Sequence, residues 1–238
     1  MFLHPPRVPP AVLSVELHAH SSRSYDGRDP IEALLEQARA VGLDGLAVTD
    51  HDEIGASLEA AELAPEYGLI GIPGMEVTSE AGHVLALGVR ELIPADLPFD
   101  ETIDRIHEAG GIAVVPHPFQ SSRSGVAPNV PPASLARADA IEVYNSRLLT
   151  GRGNRRAEAF AEKHGLPVTA GSDAHVAEMV GRAVTDIDAD EPTVEAIIDA
   201  IREGRTEIGG RRTPWRVSFM QAAAGAKRRV RNRLRNMF

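Results

Sequence analysis

Four short apolar runs in this chain each end in a segment that carries histidine, and this repetition constrains the fold more than any other feature. The segments are HAH (18–20), TDH (49–51), PHP (116–118) and SDAH (172–175). Between the apolar runs lie helical patterns, so strand and helix alternate six or seven times with short connections. Such alternation is typical of an α/β fold with a largely parallel sheet.

A closed barrel and an open doubly wound sheet both fit this alternation. The polar segments favour the barrel, because the carboxyl ends of barrel strands converge on one face, where active sites are built. We see no internal repeat and expect three regions. They are an N-terminal extension (1–13), one α/β domain (14–210) and a basic tail (211–238).

Nine histidine and carboxylate residues are candidate metal ligands, six in these segments, one in the loop after HAH and two in a predicted β-hairpin. The two histidines of HAH alternate with the period of a strand, so both imidazoles point to one side and can bind one ion. The aspartate and histidine of SDAH repeat that spacing, and the histidine of PHP is held between two rigid prolines. The candidates are His18, His20, Asp26, His51, Glu76, His83, His117, Asp173 and His175.

The chemistry of these side chains indicates which ions they would bind. Imidazole suits zinc, iron and manganese, whereas carboxylate suits magnesium and manganese and can bridge two ions. Nine ligands exceed the needs of a single ion, so we expect two or three divalent ions, with Mn, Fe or Zn favoured and Mg possible. The chain contains no cysteine, which excludes thiolate ligands and cysteine nucleophiles.

Together these residues resemble the polymerase-and-histidinol-phosphatase (PHP) family of metal-dependent phosphoesterases. The resemblance covers about residues 14–180, and its segments are ELHAHSSRSYDG, GLAVTDHD, IPGMEVTSEAGHVLALG, AVVPHPF, IEVYN and TAGSDAH. It implies an α/β fold of the PHP type, a distorted (β/α)7 barrel, with a cleft that holds two or three metal ions. It also implies the hydrolysis of phosphate esters.

The resemblance implies a distribution of the ligands among the ions, with Glu76 as a bridge. The implied sets are His18, His20, Glu76 and Asp173 for one ion, Glu76, His83 and His117 for a second, and Asp26, His51 and His175 for a third. All of these except His83 are also the expected catalytic residues. Arg123 and Arg147 follow strands that carry the site, so we expect them to bind the phosphate of the substrate.

The chain is most similar to the small, stand-alone members of the family that act on nucleotides, because of Asp26 and the GMEVTSEAGHVLALG pattern. We therefore expect hydrolysis of a nucleotide, a nucleoside bisphosphate or a short oligonucleotide by a metal-bridging hydroxide. In one respect the chain departs from those enzymes, which often carry an inserted helical domain after PHP. Here about 25 residues separate His117 from Glu142, too few for such a domain.

Three other functions remain open. A histidinol-phosphate phosphatase could use the same ligands. A non-catalytic, regulatory PHP domain is a second alternative, although such a domain should have lost ligands and none is lost here. An amidohydrolase fits less well, because many two-metal members need a carboxylated lysine. The only lysine of the body, Lys163, lies in a predicted helix.

The tail combines basic residues with a helical apolar pattern. Residues 211–238 contain nine lysines and arginines and no acid, while the whole chain has a net charge of −9. An amphipathic helix is predicted there. It could contact nucleic acid or an anionic membrane surface, dock on the acidic body, or be a solvated tail. The sequence contains no run of about 18 apolar residues, so we expect no transmembrane segment. It also shows no secretory signal, and we therefore expect a cytoplasmic location.

Overall fold

The structure is a computed structural model that describes residues 11–147 and 151–210. Residues 1–10 of the predicted extension and the predicted amphipathic helix of the tail lie outside the described residues. The strands are β1 (Ala11–Ala19), β2 (Gly45–Val48), β3 (Ile70–Ile72), β4 (Gly74–Ser79), β5 (Gly82–Leu87), β6 (Ile112–Val115), β7 (Ala140–Asn145), β8 (Val168–Gly171), β9 (Ala183–Ala189) and β10 (Thr206–Gly210). The helices are α1 (Ile31–Ala40), α2 (Gly55–Leu63), α3 (Phe99–Glu108), α4 (Pro132–Leu135), α5 (Arg152–His164) and α6 (Val194–Arg202).

The strands form two five-stranded sheets, with the orders β10-β9-β1-β2-β3 and β4-β5-β6-β7-β8. The α/β class is therefore confirmed, but the sheets are not closed into the expected seven-stranded barrel. The expected largely parallel arrangement is also wrong, because four of the eight pairings between described strands are antiparallel. Pro73 separates β3 from β4, and a residue without a backbone donor is a natural place for the chain to leave a sheet.

Two isolated parallel bridges connect the sheets. Ala19 at the end of β1 pairs with Ala174, which follows β8, and His51 after β2 pairs with Glu76 of β4. Each bridge is held by backbone hydrogen bonds, for example from the His20 N–H to the Ala174 carbonyl oxygen at 2.7 Å. One bridge therefore joins two candidate ligands directly, and the other joins two residues that each lie between candidate ligands.

Helix α1 packs its apolar face against the first sheet, whereas helix α6 packs among apolar residues of both sheets. Helix α1 buries Ile31, Leu34, Leu35 and Ala38, and helix α6 buries Ile197, Ile198 and Ile201. The Thr193 hydroxyl caps α6 by accepting a hydrogen bond from the Ala196 N–H at 3.2 Å. Strands β2 and β6 are buried along their whole length, which fixes the TDH and PHP segments that follow them. In the part of the chain that the structure describes, no helix has the length and apolarity to cross a membrane.

Candidate metal centre

Strand β4 places the carboxylate of Glu76 at the centre of a ring of imidazoles. The side chain is 1% exposed, and its two oxygens lie within 3.4 Å of nitrogens of five histidines. These nitrogens are His18 Nε2 at 3.3 Å, His20 Nε2 at 3.2 Å, His51 Nδ1 at 3.4 Å, His83 Nδ1 at 2.8 Å and His117 Nε2 at 3.4 Å. The structure therefore brings five histidines from four segments of the chain to one carboxylate.

Two further carboxylates, those of Asp26 and Asp173, adjoin this ring. His175 Nε2 lies 2.7 Å from Asp26 Oδ2, and His51 Nε2 lies 3.5 Å from the same oxygen. Asp173 Oδ1 lies 3.8 Å from His20 Nε2 and 3.2 Å from His175 Nδ1. All nine candidate ligands therefore belong to one continuous cluster, which lies where the two sheets meet.

Four groups of three side chains in this cluster have ligand atoms within 4.8 Å of one another. They are His18–His20–Asp173, His18–Glu76–His117, His51–Glu76–His83 and His20–His51–His175. Glu76 belongs to two groups, as a bridging carboxylate would. Asp26 belongs to none of the four, although it contacts His51 and His175.

The cluster contains buried polar atoms that the protein itself does not satisfy. Within the described ranges, both ring nitrogens of His20 and the Nδ1 atom of His117 make no hydrogen bond. A buried polar group without a partner is costly, and a divalent cation would offset that cost. His117 and Asp173 also have positive φ angles of 33° and 52°, which are uncommon for residues other than glycine. The donor set and its unpartnered nitrogens thus fit a cluster of divalent ions.

Charge in the cluster shifts the pKa of several groups. Burial opposes the ionised form of Glu76, but the surrounding imidazoles outweigh it and hold the pKa of that carboxyl well below its usual range. Burial also opposes a charge on His51, yet Glu76 and Asp26 raise its pKa to about 9. His175 differs, because burial and the Arg147 guanidinium lower its pKa to about 4. Ionised carboxylates and a neutral His175 are the protonation states in which these groups bind metals.

The two predicted phosphate-binding arginines both lie at the cluster. Arg123 Nη1 lies 3.1 Å from Asp173 Oδ2, and Arg147 Nη1 lies 2.5 Å from Asp173 Oδ1. Although burial opposes ionisation of Asp173, these guanidiniums hold the pKa of its carboxyl well below the usual range. Arg147 Nη1 also lies 2.8 Å from His175 Nδ1. Both cations therefore face the candidate ligands rather than bulk solvent.

The sequence analysis missed the residues that support the ligands. Glu142 Oε2 lies 3.0 Å from Nδ1 of His18, and its other oxygen accepts a hydrogen bond from the Asn145 amide at 2.8 Å. The Asp50 carboxylate accepts a hydrogen bond from the Ser21 N–H at 2.6 Å. The available signal for Glu142 and Asn145 was their place in the IEVYN segment, which contributed to the resemblance but was given no site residue.

Glu16 is a further buried carboxylate that the sequence analysis left without a role. It precedes His18 by one strand period, which was the signal available in ELHAH. Its oxygens accept backbone hydrogen bonds from His18 at 3.1 Å, Ser172 at 2.9 Å and Gly181 at 3.1 Å. Burial raises its pKa to about 7, against the effect of these hydrogen bonds. One carboxylate thus connects β1 to the segment that carries Asp173.

Comparisons with known proteins identify relatives of the chain. A family model described as PHP-associated matches residues 151–206. Two uncharacterized proteins of Methanocaldococcus jannaschii are similar along most of their length. One is 31% identical over 183 residues, covering 72% of this chain and 69% of the relative, and the other is 30% identical over 144 residues, covering 56% and 82%. A phosphoribosyl 1,2-cyclic phosphate 1,2-diphosphodiesterase of Eggerthella lenta is 42% identical over 86 residues, which are 34% of this chain and 32% of that enzyme.

Solved structures share the fold at lower identity. A two-domain protein of Bacteroides vulgatus containing a predicted PHP-like metal-dependent phosphoesterase superposes with a TM-score of 0.71 and 21% identity, covering 87% of this chain and 70% of that one. The lesion-specific endonuclease Q of Pyrococcus furiosus superposes with a TM-score of 0.63 and 19% identity, covering 83% and 58%. These likenesses show a common architecture.

Proposed function

Since the chain belongs to the PHP family of metal-dependent phosphoesterases, we propose that it hydrolyses a phosphate ester of a nucleotide, a nucleoside bisphosphate or a short oligonucleotide. The observation that carries the proposal is the ring of five imidazoles around the buried carboxylate of Glu76. A carboxylate in that position can bridge two cations, and the flanking groups can complete their coordination.

The proposed ligands are the nine residues of the cluster. His18, His20 and Asp173 would hold one ion together with Glu76, while His83 and His117 would join Glu76 at a second. Asp26, His51 and His175 would hold a third. Divalent ions at these positions would lower the pKa of bound water and neutralise the oxygens of a phosphoryl group. The buried ring nitrogens of His20 and His117 that make no hydrogen bond support these assignments.

We assign phosphate binding to Arg123 and Arg147. A planar guanidinium donates two parallel hydrogen bonds and suits the geometry of a phosphate. Both side chains reach the carboxylate of Asp173, a proposed ligand, so a phosphate bound beside Asp173 would lie within their range. Their role would be to orient the ester and to stabilise the negative charge that develops on its oxygens during hydrolysis.

A relative with a named activity acts on phosphoester bonds. The Eggerthella enzyme that is 42% identical over 86 residues is a phosphodiesterase of a phosphoribosyl cyclic phosphate. This likeness supports phosphoester chemistry at the proposed centre. The matched region is 32% of that enzyme, which is too little to transfer its substrate. The proposed substrate class therefore rests on this chain's own residues.

The test is phosphate release from a panel of substrates, measured with manganese added and after removal of metals. The panel contains adenosine monophosphate, adenosine 3′,5′-bisphosphate, a short RNA and histidinol phosphate. We expect metal-dependent release from a nucleotide, lost in the His18→Ala, His20→Ala double variant. His107→Ala is the matched control, because His107 is paired with Asp139 at 2.7 Å on the surface, away from the cluster.

Two further outcomes would change the assignment. Release from histidinol phosphate alone would make the chain a histidinol-phosphate phosphatase that uses the same ligands. Binding of metal without turnover of any substrate would favour a regulatory PHP domain. We favour catalysis over a regulatory role, because every candidate ligand is present and lies in the cluster.

We extend the proposal to residues 211–238, whose nine basic residues would attract a polyanionic substrate. Affinity for a short RNA should then fall steeply as salt rises, and removal of the segment should abolish that dependence. Affinity that is independent of salt would contradict this part of the proposal. Selective binding to anionic vesicles would assign the segment to a membrane surface instead.

A further inference from the structure

Three aromatic rings form a stack that runs from the metal centre to the surface. The rings of His20 and His51 are 4.8 Å apart and inclined by 22°. The ring of Tyr25 continues the stack beyond His51, at a centroid distance of 4.7 Å and an angle of 21°. His20 is completely buried, whereas Tyr25 is 56% exposed. The stack therefore begins among the candidate ligands and ends in solvent.

The exposure of Tyr25 is uneven over its ring. One face lies against His51, and the exposed part of the side chain, 56% of its area, is a part that this contact does not cover. Among the described residues, Tyr25 is the only aromatic in the set of exposed large hydrophobic side chains, which otherwise consists of Val12, Val41, Leu92 and Ile208. Aromatic side chains exposed beside a phosphate-binding region are the groups on which proteins stack nucleobases.

The loop that carries Tyr25 is fixed on both sides by the site. Asp26, the next residue, contacts His175 at 2.7 Å, and the Ser24 hydroxyl donates to Asp26 at 2.9 Å. The Ser21 N–H at the start of the loop is bound by Asp50. These contacts fix the loop relative to the candidate ligands. The Tyr25 ring is therefore held at a defined distance from a phosphate bound at the metal centre.

We propose that Tyr25 is a stacking platform for the base of a nucleotide whose phosphate is bound at the metal centre. The inference rests on the proposed function and names the group that confers substrate preference. A nucleobase is a planar ring that would extend the stack by one member on the exposed face of Tyr25. Stacking on an aromatic side chain contributes about 1–3 kcal/mol per base and tolerates any base, because each has a π face. Tyr25 would then distinguish nucleotides from sugar phosphates without selecting one nucleotide.

The test measures binding with probes that the protein does not hydrolyse. The first probe is the phosphonate analogue of adenosine monophosphate, whose P–C bond resists phosphatase chemistry, and the second is the corresponding ribose phosphonate without a base. Dissociation constants are measured by calorimetry on the manganese-loaded full chain. The variants are Tyr25→Ala and Tyr25→Phe, with Leu92→Ala as a control of equal exposure (56%) in the loop after β5.

We expect Tyr25→Ala to weaken binding of the adenosine probe by about tenfold, and Tyr25→Phe to retain most of the affinity because it keeps the ring. The ribose probe should bind all variants equally, and Leu92→Ala should match the wild type on both probes. The metal content of Tyr25→Ala should equal that of the wild type.

Each other result overturns the inference. Equal weakening for both probes, or loss of metal from Tyr25→Ala, would mean that the ring only supports His51. Unchanged affinity for the adenosine probe would make Tyr25 a surface residue without a role in binding. A wild type that binds the ribose probe as tightly as the adenosine probe would exclude the platform. Failure of the proposed function can be distinguished from failure of this inference. In that case phosphate release would be absent, while the binding differences between the probes would persist.

Discussion

Glu142 Oε2 lies 3.0 Å from Nδ1 of His18, and both side chains are buried. An ionised carboxylate can only accept a hydrogen bond, so this contact favours a proton on Nδ1 and leaves Nε2, which lies 3.3 Å from Glu76 Oε2, as the nitrogen that can bind a cation. A carboxylate behind a metal-binding histidine orients the ring and increases its basicity. Glu142 belongs to the IEVYN segment, one of the segments on which the resemblance rests. That segment therefore supports the site through His18, the first histidine of HAH.

Replacement of Glu142 should weaken metal binding without removing a ligand. We expect Glu142→Ala to lower the affinity for manganese by about 10–100-fold, which is typical for the loss of such a supporting carboxylate. Glu142→Gln should have an intermediate affinity for manganese, because its amide oxygen can still accept a hydrogen bond from the Nδ1–H group of His18. Metal affinity is measured by competition with a chelator. Glu158→Ala, on the exposed side of α5, is the control, and affinity in Glu142→Ala equal to that of the control would refute the role.

Removal of the Glu16 carboxylate should destabilise the fold around the centre. Glu16→Ala leaves the backbone N–H groups of His18, Ser172 and Gly181 without their acceptor. Each buried donor without a partner costs about 1–3 kcal/mol, so we expect a loss of roughly 3 kcal/mol or more in the free energy of unfolding. Urea unfolding of the metal-free protein measures this. A loss of under about 0.5 kcal/mol, the size of an ordinary surface substitution, would show that water replaces the carboxylate.

Substitution of Gly171 should disturb His18 through packing alone. A Cβ atom at position 171 would lie 2.6 Å from the Cβ of His18, and neither β8 nor β1 can move freely in its sheet. We expect Gly171→Ala to cost about 1–3 kcal/mol of stability, as overpacking does, and to weaken metal binding as well. Unfolding and chelator competition on the same variant separate the two effects. Unchanged values in both assays would show that the seam between the sheets is looser than the structure indicates.

The metal-free protein should show an alkaline titration of His51. Burial opposes its charge, but Glu76 and Asp26 raise its pKa to about 9 from an ordinary 6.5. A raised pKa means that the folded state binds the proton more tightly than the unfolded state. This contribution to stability is complete below about pH 6.5 and is lost as pH rises through about 9.

The same proton competes with metal, so affinity for manganese should increase over this pH range and binding should release protons. Proton NMR titration of the metal-free protein, with His51→Asn to identify the resonance, measures the pKa. Calorimetry in buffers of different ionisation heat measures proton release. A His51 that titrates at or below pH 6.5 would contradict the described contacts with Glu76 and Asp26.

The sequence predicted the elements and the cluster better than it predicted the way the sheets are joined. Period-two spacing indicated that His18 and His20 share a side, and the histidine-bearing ends of apolar strands indicated a common face, because these are local properties of a strand. The division into two sheets depends on which strands pair across a gap in sequence. Nothing local in Ala19 or Ala174 specifies that bridge, and the short β9–β10 pairing is equally non-local.

The supporting residues were missed for a related physical reason. A buried carboxylate such as Glu16 resembles an ordinary polar position of a strand until the backbone donors of Ser172 and Gly181 are placed beside it. Tyr25 likewise resembles any loop tyrosine in sequence. Its stacking on His51 follows only from the three-dimensional course of the loop between β1 and α1.

The most direct test of the account is the titration of manganese into metal-stripped protein, with phosphate release from adenosine 3′,5′-bisphosphate followed at each addition. The account predicts no release without metal and release that rises as about two or three equivalents bind per chain. It also predicts no release at any concentration from the His18→Ala, His20→Ala variant, with His107→Ala indistinguishable from the wild type. Release that is independent of manganese, or equal in the double variant and the wild type, would contradict the claim that this cluster is a metal-dependent phosphoesterase centre.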